Sequence, residues 1–297
     1  MMRSRNRAGE GVFVKAVVFA FAAAFSATQA LAVPLSAWDA QKDGDPRTYE
    51  IGGLSLTLSS VKDGDNGFPV LTIHAKGAPP FVVRGDDGGF PAATFGAGRF
   101  DPKGGDQQVV FTYFTGGAHC CDAVLLAEHA ASGWRTVDLG KWDGGFAVPP
   151  ADIDGDGGVD FVFVDQRFLY AFGCFACGHA PPQIMSVVDG KVKDVSTAPG
   201  LRSIFERDIV EAKEGCAQGE NAVCAGYVAD GARLGRFDEA WAFMLAHYNS
   251  KDDWDYPKRC TAKIVEFQCT GHEIVPADFP QSLKWFLEDN GYIAGKS

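Results

Sequence analysis

The side chains best suited to chemistry lie in one short acidic run of the sequence, DIDGDGGVD, from Asp152 to Asp160. Aspartates occupy positions 1, 3, 5 and 9 of this run, and glycines occupy positions 4, 6 and 7. Calcium takes about six to eight oxygen ligands, and alternate carboxylates on a loop folded by glycine can converge on one ion. The spacing therefore predicts a Ca²⁺ site. Its expected side-chain ligands are Asp152, Asp154, Asp156 and Asp160.

The residue at position 12 of the run excludes an EF-hand. An EF-hand has a bidentate glutamate there, whereas this sequence has Phe163 within the strand-like segment FVFV. The aspartate spacing, the glycine at position 6 and the following strand resemble the calcium loops of FG-GAP repeats, which occur in integrin-type propellers and VCBS-type secreted proteins. Over about nine residues, this resemblance implies that the four aspartates and the backbone carbonyl of Gly158 hold the ion.

Two cysteine loops form a second group of reactive side chains. The segments HCC at 119–121 and CFACGH at 174–179 fall at equivalent places in an internal repeat with a period of about 51 residues. In an oxidising compartment, disulfides that join or close these loops are expected for Cys120, Cys121, Cys174 and Cys177. Two alternatives stay open: a soft-metal site of thiolates and histidines, and a redox dithiol at Cys174 and Cys177.

The remaining four cysteines lie in the last third of the chain, which brings the total to 8. Their spacing makes Cys216 with Cys224, and Cys260 with Cys269, the simplest pairs, because each pair closes a short loop.

The first 32 residues are typical of a cleavable signal peptide. Arginines precede an apolar run from Ala16 to Phe25, and the small-residue sequence Ala30-Leu31-Ala32 ends the segment. We expect the mature chain to begin near Val33, without a membrane span. Export would place the protein in the periplasm of a Gram-negative bacterium, or outside the cell in other organisms. The net charge of −11 disfavours nucleic acids and anionic membranes as partners.

The pattern of the chain changes near Pro199 and predicts an α+β fold with two regions. Residues 33–198 are expected to form antiparallel, propeller-blade-like β repeats, and residues 199–297 a helical region stapled by disulfides. The predicted strands are Leu54–Leu58, Val70–His74, Phe81–Arg84, Val109–Phe114, Ala123–Glu128, Trp134–Leu139, Phe161–Asp165 and Ile184–Val188. The predicted helices are one that begins with a capping box at Ser203 and Glu206, then Asn221–Leu234, Phe237–Tyr248 and Pro280–Asp289.

Together these features predict an exported, calcium-binding protein that acts in binding or as a scaffold, without catalysis, toward a protein or glycan partner. A periplasmic thiol oxidoreductase using Cys174 and Cys177 is one alternative, and a secreted hydrolase is another. The sequence contains no Gly-x-Ser-x-Gly, no His-Glu-x-x-His and no phosphate-binding glycine loop before a lysine.

Overall fold

The computed structural model describes residues 32–63, 66–85, 90–118, 120–265 and 268–295. The predicted signal peptide lies outside the described residues, apart from Ala32, and so does His119. Among the described helices, none is both long and apolar enough to cross a membrane.

The first two-thirds of the chain form three antiparallel sheets. The first sheet has the order β2-β3-β4-β5, the second β1-β6-β7-β8-β9 and the third β10-β11-β12. The strands of these sheets are β1 (Ser36–Asp39), β2 (Arg47–Ile51), β3 (Leu54–Asp63), β4 (Asn66–His74), β5 (Phe81–Arg84), β6 (Ala92–Gly98), β7 (Gln108–Phe114), β8 (Asp122–Ala130), β9 (Gly133–Trp142), β10 (Asp160–Val164), β11 (Pro182–Val188) and β12 (Lys191–Asp194).

Five helices and four short strands complete the described fold. The helices are α1 (Ala40–Asp43), α2 (Arg202–Ala217), α3 (Asn221–Arg233), α4 (Phe237–His247) and α5 (Phe279–Asp289). The short strands form two ribbons, β13 (Arg259–Cys260) with β16 (Glu273–Ile274) and β14 (Ile264–Val265) with β15 (Gln268–Cys269).

The middle strand of the second sheet, β7, is buried on both faces, which explains its largely apolar sequence. Successive side chains of a strand point to opposite faces. Accordingly, Val109 and Phe111 pack with the first sheet, whereas Val110 joins the cluster on the side of the third sheet. All three side chains are fully buried. The sheets therefore stack as layers, with the five-stranded sheet between the other two.

The third sheet is also covered on both faces, by the five-stranded sheet on one and by helices on the other. Phe161 and Phe163 of β10 face the five-stranded sheet, while Val162 of β10 and Ile184 of β11 face the helices. The helices thus share one hydrophobic cluster with β10 and β11. The change from strands to helices falls at a short 3₁₀ turn, Pro199–Leu201, close to the predicted boundary, but the core continues across it.

The predicted fold class, an antiparallel β region followed by a helical region, is confirmed. All eight predicted strands and the helices over Asn221–Leu234, Phe237–Tyr248 and Pro280–Asp289 are present, but β3 runs five residues further and β4 begins four residues earlier than predicted. The predicted capping box at Ser203 is wrong. Because the 3₁₀ turn runs directly into α2, the helix starts at Arg202, its N-cap position is Leu201, and no side chain caps it.

Candidate metal centre in the aspartate loop

The acidic loop lies between β9 and β10 and is closed at its base by backbone hydrogen bonds. The amide of Asp160 donates to the carbonyl of Ala151 at 2.8 Å, and the amide of Ala151 donates back to Asp160 at 3.3 Å. Within this closure, Gly155 and Gly157 adopt φ values of +78° and +90°, which favour glycine. The glycine positions of the sequence thus fold the run into a tight turn.

Aspartate side chains satisfy the backbone amides inside the loop. Asp152 accepts hydrogen bonds from the amides of Gly155 and Gly157, at 2.8 and 3.1 Å. Asp154 Oδ1 accepts from the amide of Asp156 at 3.1 Å, and Asp156 Oδ1 accepts from the amide of Gly158 at 2.7 Å. These contacts orient the carboxylates toward a common centre.

Three of the four predicted aspartates meet at that centre. Asp152, Asp154 and Asp156 each offer a carboxylate oxygen, and these oxygens all lie within 4.8 Å of one another. Asp152 and Asp154 are half-buried, and Asp156 is exposed. The group is therefore open to solvent on one side, as an ion arriving from solution requires.

Asp160, the fourth predicted ligand, is only 3 % exposed and lies below this group at the start of β10. Its Oδ2 accepts from the amide of Ile153 at 2.9 Å, and its Oδ1 accepts from the hydroxyl of Ser186 at 2.7 Å. Burial is the main cause that raises the pKa of Asp160, and the charge of nearby Asp154 adds to it. The backbone of Asp154 also donates to this carboxylate, and Asp160 is not one of the carboxylates that converge within 4.8 Å, so the structure shows it supporting the loop from below.

The loop that precedes β7, residues 99–107, is the counterpart of the aspartate loop in the predicted repeat, and we call it the first loop; the amide side chain of Gln108 closes it. Gln108 Oε1 accepts from the amides of Phe100 and Asp101, at 2.7 and 2.6 Å. Its Nε2 donates to the carbonyls of Asp101 and Gly105, at 2.8 and 2.7 Å. The neutral side chain satisfies both donors and acceptors of that loop. The strand after the first loop, β7, is the middle strand of the five-stranded sheet, whereas the strand after the aspartate loop, β10, is an edge strand of the three-stranded sheet.

Three close contacts connect the aspartate loop to its surroundings. A side chain at Gly158 would meet Pro102 of the first loop at 3.0 Å, and the amide of Val159 donates to the carbonyl of Phe100 at 3.0 Å. On the other side, Gly200 packs directly against Asp154 at the entrance to α2. Sequence analysis missed the supporting roles of Ser186 and Gly200, since neither lies near the loop in the sequence.

The cysteines form four disulfides within the described residues. The predicted pairs Cys216–Cys224 and Cys260–Cys269 are confirmed, and each cysteine loop is closed on itself, by Cys120–Cys121 and Cys174–Cys177. Each cysteine loop is therefore closed by its own disulfide, and no disulfide joins one loop to the other. With every cysteine paired, no thiolate is available for the soft-metal site considered above.

The Cys174–Cys177 disulfide is exposed and borders a shallow groove. Its turn is a three-residue 3₁₀ segment, and the charged residues that line the groove among those described are Glu220 and Asp252. A helix N-terminus or a nearby cation lowers the pKa of a thiol. The first turn of α3, Asn221 to Val223, lines the same groove, so a helix N-terminus and two carboxylates lie beside this disulfide and the redox alternative stays open.

Comparison with known proteins gives one family for this chain. A model of the sll0997 C-terminal domain matches residues 201–291. The probable thylakoid lumen protein sll0997 of Synechocystis is 32 % identical over 260 residues, which cover 83 % of this chain and 76 % of that protein. The chain belongs to the sll0997 family. No solved structure matches this member of the family.

A second relative of this sll0997-family chain is the uncharacterized protein y4bJ of Sinorhizobium fredii. It is 27 % identical over 269 residues, which cover 88 % of this chain and 42 % of that protein. The sll0997 domain model spans α2 to α5 and does not reach the aspartate loop. It is not an FG-GAP or VCBS model, and the resemblance of the loop to FG-GAP repeats stays a prediction.

Proposed function

We propose that this protein is an exported calcium-binding protein whose FG-GAP-like loop, Asp152–Asp160, binds one Ca²⁺ ion. The observation that carries the proposal is the convergence of the Asp152, Asp154 and Asp156 oxygens within 4.8 Å. Two unit charges at such a distance repel by about 1 kcal/mol even in water, and by more near a protein surface. A divalent cation with a preference for hard oxygen ligands removes this repulsion.

The surroundings of the loop support a structural role for the ion. The loop contacts Pro102 of the first loop and Gly200 just before α2. An ion that fixes the aspartate loop would therefore hold the first loop, the aspartate loop and the start of α2 together. This is the role expected of a non-enzymatic binding or scaffold protein, whose partner we expect to be a protein or a glycan.

Three features support export, and an exported protein meets calcium at extracellular concentrations. The sequence begins with a segment typical of a signal peptide. Its eight cysteines are all paired, and disulfides persist in oxidising compartments. The relative from Synechocystis is described as a probable thylakoid lumen protein. We propose a periplasmic location if the source is a Gram-negative bacterium and a secreted location otherwise.

The test is the calcium dependence of thermal stability in the mature protein. Extracellular calcium sites have Kd values of about 10⁻⁴–10⁻³ M, so about 5 mM free Ca²⁺ should stabilise the protein by roughly 1–2 kcal/mol. For a chain of this size, the Tm should rise by roughly 2–8 °C. Mg²⁺ at the same concentration should have a smaller effect, because it demands a stricter octahedral geometry.

Asp154→Asn should abolish the calcium-dependent rise, because it removes one converging charge while keeping the shape of the side chain. The matched control is Asp106→Asn in the first loop, where an exposed aspartate lies outside the carboxylate group. That variant should respond to calcium as the wild type does. Equal Tm values in Ca²⁺ and in EDTA for the wild type, or an unchanged calcium response in Asp154→Asn, would refute the proposal.

A further inference from the structure

A second group of metal-ligating side chains lies in the helical region, at a distance in sequence from the aspartate loop. It consists of His179, which follows the Cys174–Cys177 turn by two residues, Asp208 on α2 and Asp230 on α3. Helices α2 and α3 are consecutive, and the fully buried Cys216–Cys224 disulfide joins them near their connection. Three separate elements thus deliver one ligand each.

The distances within this group suit a small ion with nitrogen and oxygen ligands. One nitrogen of His179 and one oxygen from each aspartate all lie within 4.8 Å of one another. His179 Nε2 and Asp208 Oδ2 are 2.7 Å apart, which is a hydrogen bond. Ligands at about 2.0–2.2 Å from a tetrahedral zinc ion lie roughly 3.3 Å from each other. Movements of side chains by less than about 1.5 Å would therefore complete the geometry.

Asp230 supplies an independent reason to expect a ligand. Its side chain is completely buried, and neither carboxylate oxygen meets a hydrogen-bond donor among the described residues. A buried carboxylate without a partner is costly. The site therefore requires either a proton or a cation between the two aspartates.

Arg233, one helical turn beyond Asp230, acts on its carboxylate only through space and forms no hydrogen bond with it. Its guanidinium lies over the ring of Tyr292, 4.2 Å from the centroid, and its Nε has no hydrogen-bond partner among the described residues. No ion pair joins Arg233 to Asp230 in the described part of the chain. The imidazole of His179, in contrast, is already in contact with the carboxylate group.

We propose that His179, Asp208 and Asp230 bind a divalent transition-metal ion of the zinc type. An imidazole nitrogen beside carboxylate oxygens favours zinc and its neighbours over calcium and magnesium, which prefer oxygen ligands throughout. The side chains of His179 and Asp208 are 23 % and 18 % exposed, so the site opens to solvent on that side. Three protein ligands leave one tetrahedral position there for water.

The loop that carries His179 packs closely against α3. A side chain at Gly226, one turn before Asp230, would collide with the backbone carbonyl of His179 and would meet its ring at 3.0 Å. Gly178 also packs against α3, although less tightly, since a side chain added there would lie 3.3 Å from the Cβ of Ala222. The closed Cys174–Cys177 turn therefore contributes a rigid support for His179 and no metal ligand of its own.

The test measures metal binding to the full mature protein after EDTA treatment and dialysis. We expect one equivalent of Zn²⁺ by isothermal titration calorimetry, and a visible absorption band when Co²⁺ replaces zinc in a tetrahedral site. His179→Gln and Asp208→Asn should each weaken zinc binding by at least about 100-fold, since even the loss of a supporting residue costs about 10–100-fold. His272→Gln, at an exposed histidine elsewhere, should bind as the wild type does.

The alternative is a proton shared by Asp208 and Asp230. In that case the stripped wild type would not bind zinc, and added Zn²⁺ would leave the Tm of the wild type unchanged. Either that pattern or equal zinc affinity in wild type and His179→Gln would overturn the proposal. Asp154→Asn should leave zinc binding unchanged, so the calcium and zinc proposals can fail separately.

Discussion

Replacement of Gly226 by alanine tests whether close packing positions His179. Alanine is the better helix former by about 1 kcal/mol, so in an open helix interior Gly226→Ala would stabilise the protein. Here the new methyl group would lie inside van der Waals contact of the His179 carbonyl. A backbone atom cannot move aside by changing a rotamer. The turn before it is also closed by the Cys174–Cys177 disulfide.

The expected size of the effect follows from these two opposing contributions. Overpacking of a filled interior costs about 1–3 kcal/mol, and the backbone contact suggests the upper end of that range. With the gain in helix propensity subtracted, Gly226→Ala should destabilise the protein by about 2 kcal/mol. The Tm should therefore fall by roughly 4–8 °C for a chain of this size.

Differential scanning calorimetry of the oxidised protein in EDTA would measure this change without any contribution from bound metal. Gly215→Ala on α2 is the matched control, because its nearest neighbours are the end of the flexible Glu220 side chain and Val223, both at 3.0 Å. The control should lose much less stability. A Tm for Gly226→Ala equal to or above that of the wild type would show that the contact is not restrictive and would refute the packing argument.

Two further predictions concern buried polar groups. Tyr292→Phe removes the hydroxyl that donates to Asp165 Oδ2 at 2.7 Å, a buried hydrogen bond to the residue after β10. Hydrogen bonds to charged groups are worth about 1.5–3 kcal/mol, so the Tm should fall by several degrees. An unchanged Tm would contradict this role of Tyr292. Asp122→Asn should raise the Tm at pH 7, because burial, with a smaller contribution from the charge of Asp143, raises the pKa of Asp122. A raised carboxyl pKa means that the wild type is most stable below the ordinary pKa and loses this stability as the pH rises through the folded-state value. The advantage of Asp122→Asn should therefore shrink on acidification, and the same advantage at pH 3 and pH 7 would count against the argument.

The sequence alone predicted the features that depend on local spacing. Alternation and helical periodicity located eight of the sixteen described strands and the later helices, because each of these elements has an apolar face to bury. The glycine and aspartate positions predicted a tight acidic loop, and Asp152, Asp154 and Asp156 do converge there. Short sequence separation similarly identified Cys216 with Cys224 and Cys260 with Cys269.

Tertiary structure decided the features that depend on distant residues. Strands such as β1 and β6 pair across more than fifty residues, and their short or glycine-rich sequences carry little signal by themselves. The layering of three sheets, and the core shared between the third sheet and the helices, follow from which faces meet. Likewise, nothing local relates His179 to Asp208 and Asp230, because a loop and two helices bring them together only after α3 packs against the cysteine turn through Gly226. The sequence determined which carboxylates meet in the acidic loop, because they lie within five residues of one another, whereas the grouping of His179, Asp208 and Asp230 arises from packing.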